Sequence, residues 1–340
     1  MRILLYAGVD LALPGGLETH VKELAVGLAA RGHEVDILGR PAVLPPFKMV
    51  DRVEPRRYDL VHQHGGIWPR SVPLPRPYVR TLHFCVAAKM AVYVRMGRLR
   101  TLAHPANYRS LWEERAAWRG AGRLIAVADR MRREFARWHG LDPSRARVIP
   151  NGAACAAPRE GRENLRARHG IPAGATVVLT IGRDDFVKGF ELFGQAWRRA
   201  RGGERGAWWV TAGGASPRHS VGRVVTGPVS HQEVLDWIHA ADLGALPSLY
   251  EGCGVALLEM LAGNLFTLAH DVGIAPEVID EGRNGRMVER SASAWAAALA
   301  RALEAPPPRG QGGLPPDFAW NEVVRRTEEV YREASGAGAR

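Results

Sequence analysis

The chain has 340 residues, 46 Lys and Arg against 35 Asp and Glu, and a net charge of +11. Its 46% hydrophobic content excludes a disordered chain, and three scattered cysteines, Cys85, Cys155 and Cys253, exclude a disulfide framework or a CxxC zinc site. The basic field attracts anions, so on charge alone nucleotide diphosphates, anionic membranes and nucleic acids are all candidate partners.

The length predicts two domains. The apolar start, residues 1–9, is followed by Asp10 and has neither a basic region nor a cleavage site, so it reads as a first strand rather than a signal peptide. With no cysteine framework and no run of roughly 18 apolar residues, the expected setting is the cytoplasm. Strands are expected at 2–7, 34–38, 59–62, 78–82 and 123–127, with an amphipathic helix at 16–31 that turns Val21, Leu24 and Leu28 inward. Strand and helix alternation of this kind argues for a parallel sheet covered on both faces. The prolines at 41–46 and 69–77 read as loops.

Val148-Ile149-Pro150-Asn151-Gly152 closes this half, and 153–160 reads as a linker. The pattern then restarts, with strands expected at 176–181, 207–211, 223–226 and 243–246. Helices are expected at 190–200, 231–240, 255–262, 292–303 and 318–333. The predicted domains are therefore 1–152 and 153–316, followed by a helical segment 317–335 and a loose tail.

The densest chemistry lies in Pro247-Ser248-Leu249-Tyr250-Glu251-Gly252-Cys253-Gly254-Val255, which leads into a helix carrying Glu259. Orphan N–H groups at such a helix start attract phosphate. Glu259 sits about 7–8 Å further along the axis at 1.5 Å per residue, a reach that suits a ribose beside a bound phosphate. A second loop, Ile181-Gly182-Arg183-Asp184-Asp185-Phe186-Val187-Lys188-Gly189, follows a buried strand, where open α/β sheets bind ligands. Arg183 offers a planar fork and Lys188 a point charge for a diphosphate. Asp184-Asp185 is not an Asp-x-Asp motif, and no metal is expected.

These segments resemble the Glu-x7-Glu signature and the Gly-Arg…Lys-Gly pair of retaining glycosyltransferases of family GT4, "glycosyl transferases group 1". The resemblance implies an α/β fold of the GT-B type: two Rossmann-like, doubly wound parallel-sheet domains with the active-site cleft between them. The first would serve the acceptor and the second the nucleotide sugar, with the last helix crossing back to the first. It further implies that Glu251 meets the donor sugar and that Glu259 holds the ribose. Arg183 and Lys188 would neutralise the leaving diphosphate, and Gly252, Cys253, Gly254 and Val255 would line the donor site. Cys253 stands where the family usually has an aromatic residue.

By the same resemblance, His83, at the end of Thr81-Leu82-His83, stands beside the donor sugar. Gly15 and Gly16 let backbone approach the ligand, and Val229 lies by the nucleobase. His62 and His64 are candidates for the acceptor side, whereas His20 and His33 read as structural. Asn151-Gly152 matches the family's hinge.

The implied reaction is metal-free transfer with retention from a nucleoside-diphosphate sugar, a UDP-sugar first, to a small-molecule, oligosaccharide or lipid-linked acceptor. The short, arginine-rich chain also resembles members that tailor antibiotics. A basic, aromatic stretch, 89–137, is a candidate for peripheral contact with the membrane. Two other readings stay open: a GT-B sugar-nucleotide epimerase and a basic nucleic-acid-binding protein. The latter has charge but no recognition motif.

Overall fold

The computed structural model describes residues 1–13, 15–40, 47–50, 54, 57–65, 77–153, 156–309 and 313–336, with the backbone alone at 116, 117 and 119. Cys155, the loops at 41–46 and 69–76, and the tail at 337–340 lie outside them. The chain forms two compact units, residues 1–152 with 316–340, and residues 153–315.

The first unit contains strands β1 (Arg2–Asp10), β2 (Glu34–Arg40), β3 (Lys48–Val50), β4 (Leu60–Gln63), β5 (Tyr78–Leu82), β6 (Arg123–Ala126) and β7 (Ala146–Val148). Its helices are α1 (Gly16–Ala30), α2 (Val86–Arg95), α3 (Leu99–Leu102), α4 (Pro105–Arg119) and α5 (Asp129–His139). The second unit contributes α6 (Arg162–Arg168), β8 (Val177–Ile181), α7 (Phe190–Arg199), β9 (Trp208–Ser220), β10 (Arg223–Gly227), α8 (His231–Ala240), β11 (Leu243–Leu246), α9 (Val255–Ala262), β12 (Thr267–Ala269), α10 (Ala275–Val278), β13 (Gly285–Met287) and α11 (Ala292–Glu304). Helix α12 (Trp320–Ala334) returns to the first unit.

The first sheet runs β3-β2-β1-β4-β5-β6-β7, parallel throughout. Its central strands β4 and β5 are buried on both faces, as helices on either side of a parallel sheet require, with no residue open to solvent. Val21, Leu24 and Leu28 of α1 pack on it together with Val323, Val324 and Tyr331 of α12. The two helices approach closely at Gly27, where any Cβ would collide with Val324. Gly152 similarly makes room for the Trp320 ring.

The second sheet runs β10-β9-β8-β11-β12-β13, with a core of Phe193, Trp197, Trp209, Trp295 and Leu299. Strand β9 extends well beyond the expected 207–211. Val224 of β10 lies opposite Val210 on one side and His219 on the other, so the far half of β9 folds back along β10 with its register reversed. Gly213 and Gly214, at φ +118° and +95°, permit that turn.

In both units the first strand has the second on one side and the fourth on the other. Chain direction through the sheet thus reverses at β1/β4 and at β8/β11, the crevices where doubly wound sheets bind ligands.

Candidate functional site

In the second unit, the two expected loops leave the carboxyl ends of β8 and β11 and so flank the crevice between those strands. They are tied together. The Leu249 N–H donates to the Val187 carbonyl at 2.7 Å. Gly189, at φ +70°, lies so close to the Pro247 carbonyl that a side chain there would collide with it. Lys188 Nζ meets Glu251 Oε1 at 2.8 Å, and the Ser248 hydroxyl donates to the same oxygen at 2.7 Å. The Lys188 stem runs alongside Gly182, whose φ is +149°.

The structure therefore brings Lys188 and Glu251 into one part-buried ion pair. Arg183 is exposed, and its guanidinium has no hydrogen-bond or ion-pair partner among the described residues. It lies on the same loop as Lys188 and is open to an anion.

Gly254, at φ +99°, is the N-cap of α9. No side chain caps the helix and no acidic residue occupies its first turn, so its leading N–H groups have no competing carboxylate of their own. Cys253 is buried, and its carbonyl accepts from the Ile274 N–H at 2.8 Å. A side chain on Gly273 would strike that carbonyl, so the loop after β12 is fitted tightly against the Glu251–Gly254 turn.

Glu259, on α9, is buried, and its Oε1 accepts from His231 Nε2 at 2.8 Å. His231 is the first residue of α8. Ser230 and Glu233 form a capping box at that helix start, which fixes the preceding Gly227–Val229 loop. Half-buried Val229 thus stands two residues from the side chain that contacts Glu259. Sequence reasoning missed His231. The capping box was readable, but a pairing across 28 residues was not.

A further residue missed is His270, buried under the Glu251 loop. Its Nδ1 donates to the Ser248 carbonyl at 3.0 Å, and its Nε2 accepts from the Trp295 indole N–H. Burial lowers its pKa to about 4. Protonation would set two N–H groups against each other.

In the first unit, His83 follows β5 and meets His64 Nδ1 through its Nε2 at 3.2 Å. It lines a cavity of about 90 Å³ with His64, Arg80, Phe84, Glu113 and Glu114. Burial and the neighbouring imidazoles and Arg80 hold its pKa well below the usual histidine value. His62 is saturated between Tyr331 and Thr81, at 2.7 Å each.

His20 pairs with Asn151 at 2.9 Å, and His33 with Glu328 at 2.7 Å. Gly15, in extended backbone at φ 174°, precedes α1, and a side chain there would collide with the Glu18 carboxylate. The space beside Gly15 is thus held by the helix's own first-turn acid.

Family models match both halves: "Glycosyltransferase Family 4" over residues 39–156 and "Glycosyl transferases group 1" over 175–305. A D-inositol 3-phosphate glycosyltransferase of Kineococcus radiotolerans is 29% identical, over 94% of this chain and 91% of that one. Among solved structures, the sucrose-phosphate synthase of Thermosynechococcus elongatus superimposes with a TM-score of 0.74 at 20% identity, over 99% and 100% of the two chains. Anabaena Alr3699/HepE in complex with UDP and glucose gives 0.67 at 16% identity, over 100% and 99%. The fold is GT-B. The two models together take in most of the chain, and both describe glycosyltransferases of the family 4, group 1 type.

Proposed function

We propose that the second unit binds a nucleoside-diphosphate sugar, with UDP as the nucleotide, and that the enzyme transfers the sugar with retention to an acceptor hydroxyl without a metal. The Lys188–Glu251 pair across the β8/β11 crevice carries this reading. It sets one cation and one carboxylate beside an uncapped helix start, the combination needed to receive a diphosphate and the hydroxyls attached to it.

Arg183, Lys188 and the α9 N–H groups take the pyrophosphate and stabilise the charge that grows on it as the glycosidic bond breaks. Glu251 orients sugar hydroxyls, and Glu259, once His231 yields, the ribose. Val229 borders the base. His83 serves the sugar from the first unit, which takes the acceptor. The leaving phosphate accepts the acceptor's proton.

The test is a thermal-shift titration with UDP in chelator, followed by transfer assays against inositol phosphates, hexose phosphates and antibiotic aglycones. At 100 times Kd, UDP should stabilise by about 2.7 kcal/mol. Lys188→Ala and Glu259→Ala should abolish the shift. The product anomer, read by NMR, should match the donor. A shift that requires a divalent ion, or an epimerised sugar formed without acceptor, overturns the corresponding part.

We also read α2 to α4 as a face for anionic lipid. Val94, Met96, Leu99, Tyr108 and Trp112 are exposed there among Arg95, Arg98, Arg100 and Arg109. Aromatic and aliphatic side chains interleaved with arginine suit a headgroup boundary. Co-sedimentation with phosphatidylglycerol vesicles, lost in an Arg95/Arg98/Arg100→Glu variant, is the expected result. Equal sedimentation of the variant, or none of either protein, removes this reading.

A further inference from the structure

We propose, resting on the reading that the first unit takes the acceptor, that this acceptor is a carboxylate-bearing polyol of the uronic acid class and that Arg80 receives its carboxylate. The site is the cavity beside His83. It lies at the carboxyl ends of β4 and β5, the edge at which doubly wound sheets bind ligands. Arg80, on β5, forms part of its wall and is only 9% exposed.

Arg80 is a buried cation without a counter-ion of its own. Among the described residues no carboxylate forms an ion pair with it. Its hydrogen-bond partners are Gln63 Oε1, which accepts from Nη1 at 2.6 Å, and the Tyr78 hydroxyl, and both are neutral. Its Nε is buried with no partner among the described residues. Burial draws its pKa below the usual guanidinium value, although the nearby Glu114 pulls the other way. A buried charge in this state is costly, and a bound anion removes the cost.

The rest of the wall decides which anion. Glu114 is already committed: it accepts from the Val86 N–H at 2.9 and 3.0 Å and meets His139 Nε2 at 2.8 Å. Glu113 pairs with Arg109 Nε at 2.6 Å. Burial holds His64 and His83 well below the usual histidine pKa, so both are neutral near pH 7. Arg80 is therefore the one positive group among the described lining residues, and it shares the cavity with two carboxylates. One negative charge balances it. A phosphate ester brings close to two charges near neutral pH, and the second meets Glu113 and Glu114 uncompensated. A carboxylate brings one, in the planar shape that the guanidinium fork matches. Ser110 and the unpartnered Nε2 of His64 offer hydrogen bonds to hydroxyls, and exposed Phe84 offers an apolar face. His83 keeps its role toward the donor sugar.

The test is calorimetric titration of the full chain, with and without UDP, against each hexose in three forms: the uronate, the neutral hexose and the 6-phosphate. The gluco, galacto and manno series are run in parallel. In at least one series the uronate should bind more tightly than both other forms. Arg80→Gln should weaken the uronate by about 10- to 100-fold, the worth of a hydrogen bond to a charged group, and leave the neutral hexose unchanged. Glu113→Gln should tighten the uronate and narrow its lead over the phosphate, a gain that loss of structure does not produce. Arg133→Gln, an exposed arginine on α5, should change nothing.

Circular dichroism checks each fold, and Arg80→Lys, which keeps the charge and loses the fork, replaces Arg80→Gln if that variant unfolds. No uronate binding by folded wild type in any series overturns the assignment. So does a phosphate or neutral form that binds as well, uronate binding that survives loss of the guanidinium, or a Glu113→Gln variant that binds it more weakly. The UDP thermal shift, read on the same samples, reports on the second unit. Failure here with that shift intact removes the acceptor class alone, and a lost shift with uronate binding intact removes the donor reading alone.

Discussion

At the scale of single residues, His270 makes the second unit acid-sensitive. Its folded pKa is about 4, against 6.5 for the free side chain. Between those values the unfolded chain holds the proton and the folded chain does not. Stability is therefore full above about pH 6.5 and falls as pH drops toward 4, by about 2–3 kcal/mol for this one group. Urea unfolding at pH 7 and pH 4.5 should show the loss, and His270→Gln should shrink it by about that amount. Gly189→Ala should cost more than the roughly 1–2 kcal/mol of a left-handed alanine, because its Cβ also meets the Pro247 carbonyl. A chemical denaturation curve measures it. Lys188 and Glu251 were legible as site candidates because each sits in a glycine-marked loop after an apolar strand. Glu259 was legible through helical spacing. The His231–Glu259, His20–Asn151 and His64–His83 contacts were not, since they depend on which strand ends become neighbours.

Among elements, α8, α9, β5 and β11 could be read to the residue, because each has an apolar pattern bounded by glycine, proline or a capping residue. Strands β3 and β7 have only three residues each, too few to show a period. The far half of β9 carries Gly213, Gly214 and Pro217, residues that ordinarily break a strand. Pairing with β10, a tertiary effect, makes it a strand. The α1–α12 contact gives a sharp test. Gly27→Ala adds about 1 kcal/mol of helix propensity. The new Cβ, however, strikes Val324, a stiff β-branched side chain, and overpacking costs about 1–3 kcal/mol. A net loss of stability is expected. In Gly27→Ala/Val324→Ala the two changes should cost less together than their sum, which a double-mutant cycle detects.

For the whole molecule, the doubly wound class and the twofold repetition of the pattern were visible in the alternation of strands and helices. The order of strands was not, because periodicity does not say which strands pair. That order, 3-2-1-4 in each unit, is what assembles both candidate sites. Helix α12 places Val323, Val324, Val330 and Tyr331 in the first unit's core. A chain ending at Pro315 should therefore lose hydrogen-exchange protection across β1, β4 and α1, while the second unit keeps its protection and the UDP response proposed for it. Equal loss in both units would contradict that division.

The return of α12 also sets a timetable for biogenesis. On the ribosome, the half made first cannot finish folding, because a piece of its interior is still untranslated. The half made second has all its parts in hand as soon as it emerges. Nascent chains paused just short of Trp320 should thus carry a mature second unit behind an unfinished amino-terminal one, whose bare hydrophobic seat is open to chaperones until α12 is made.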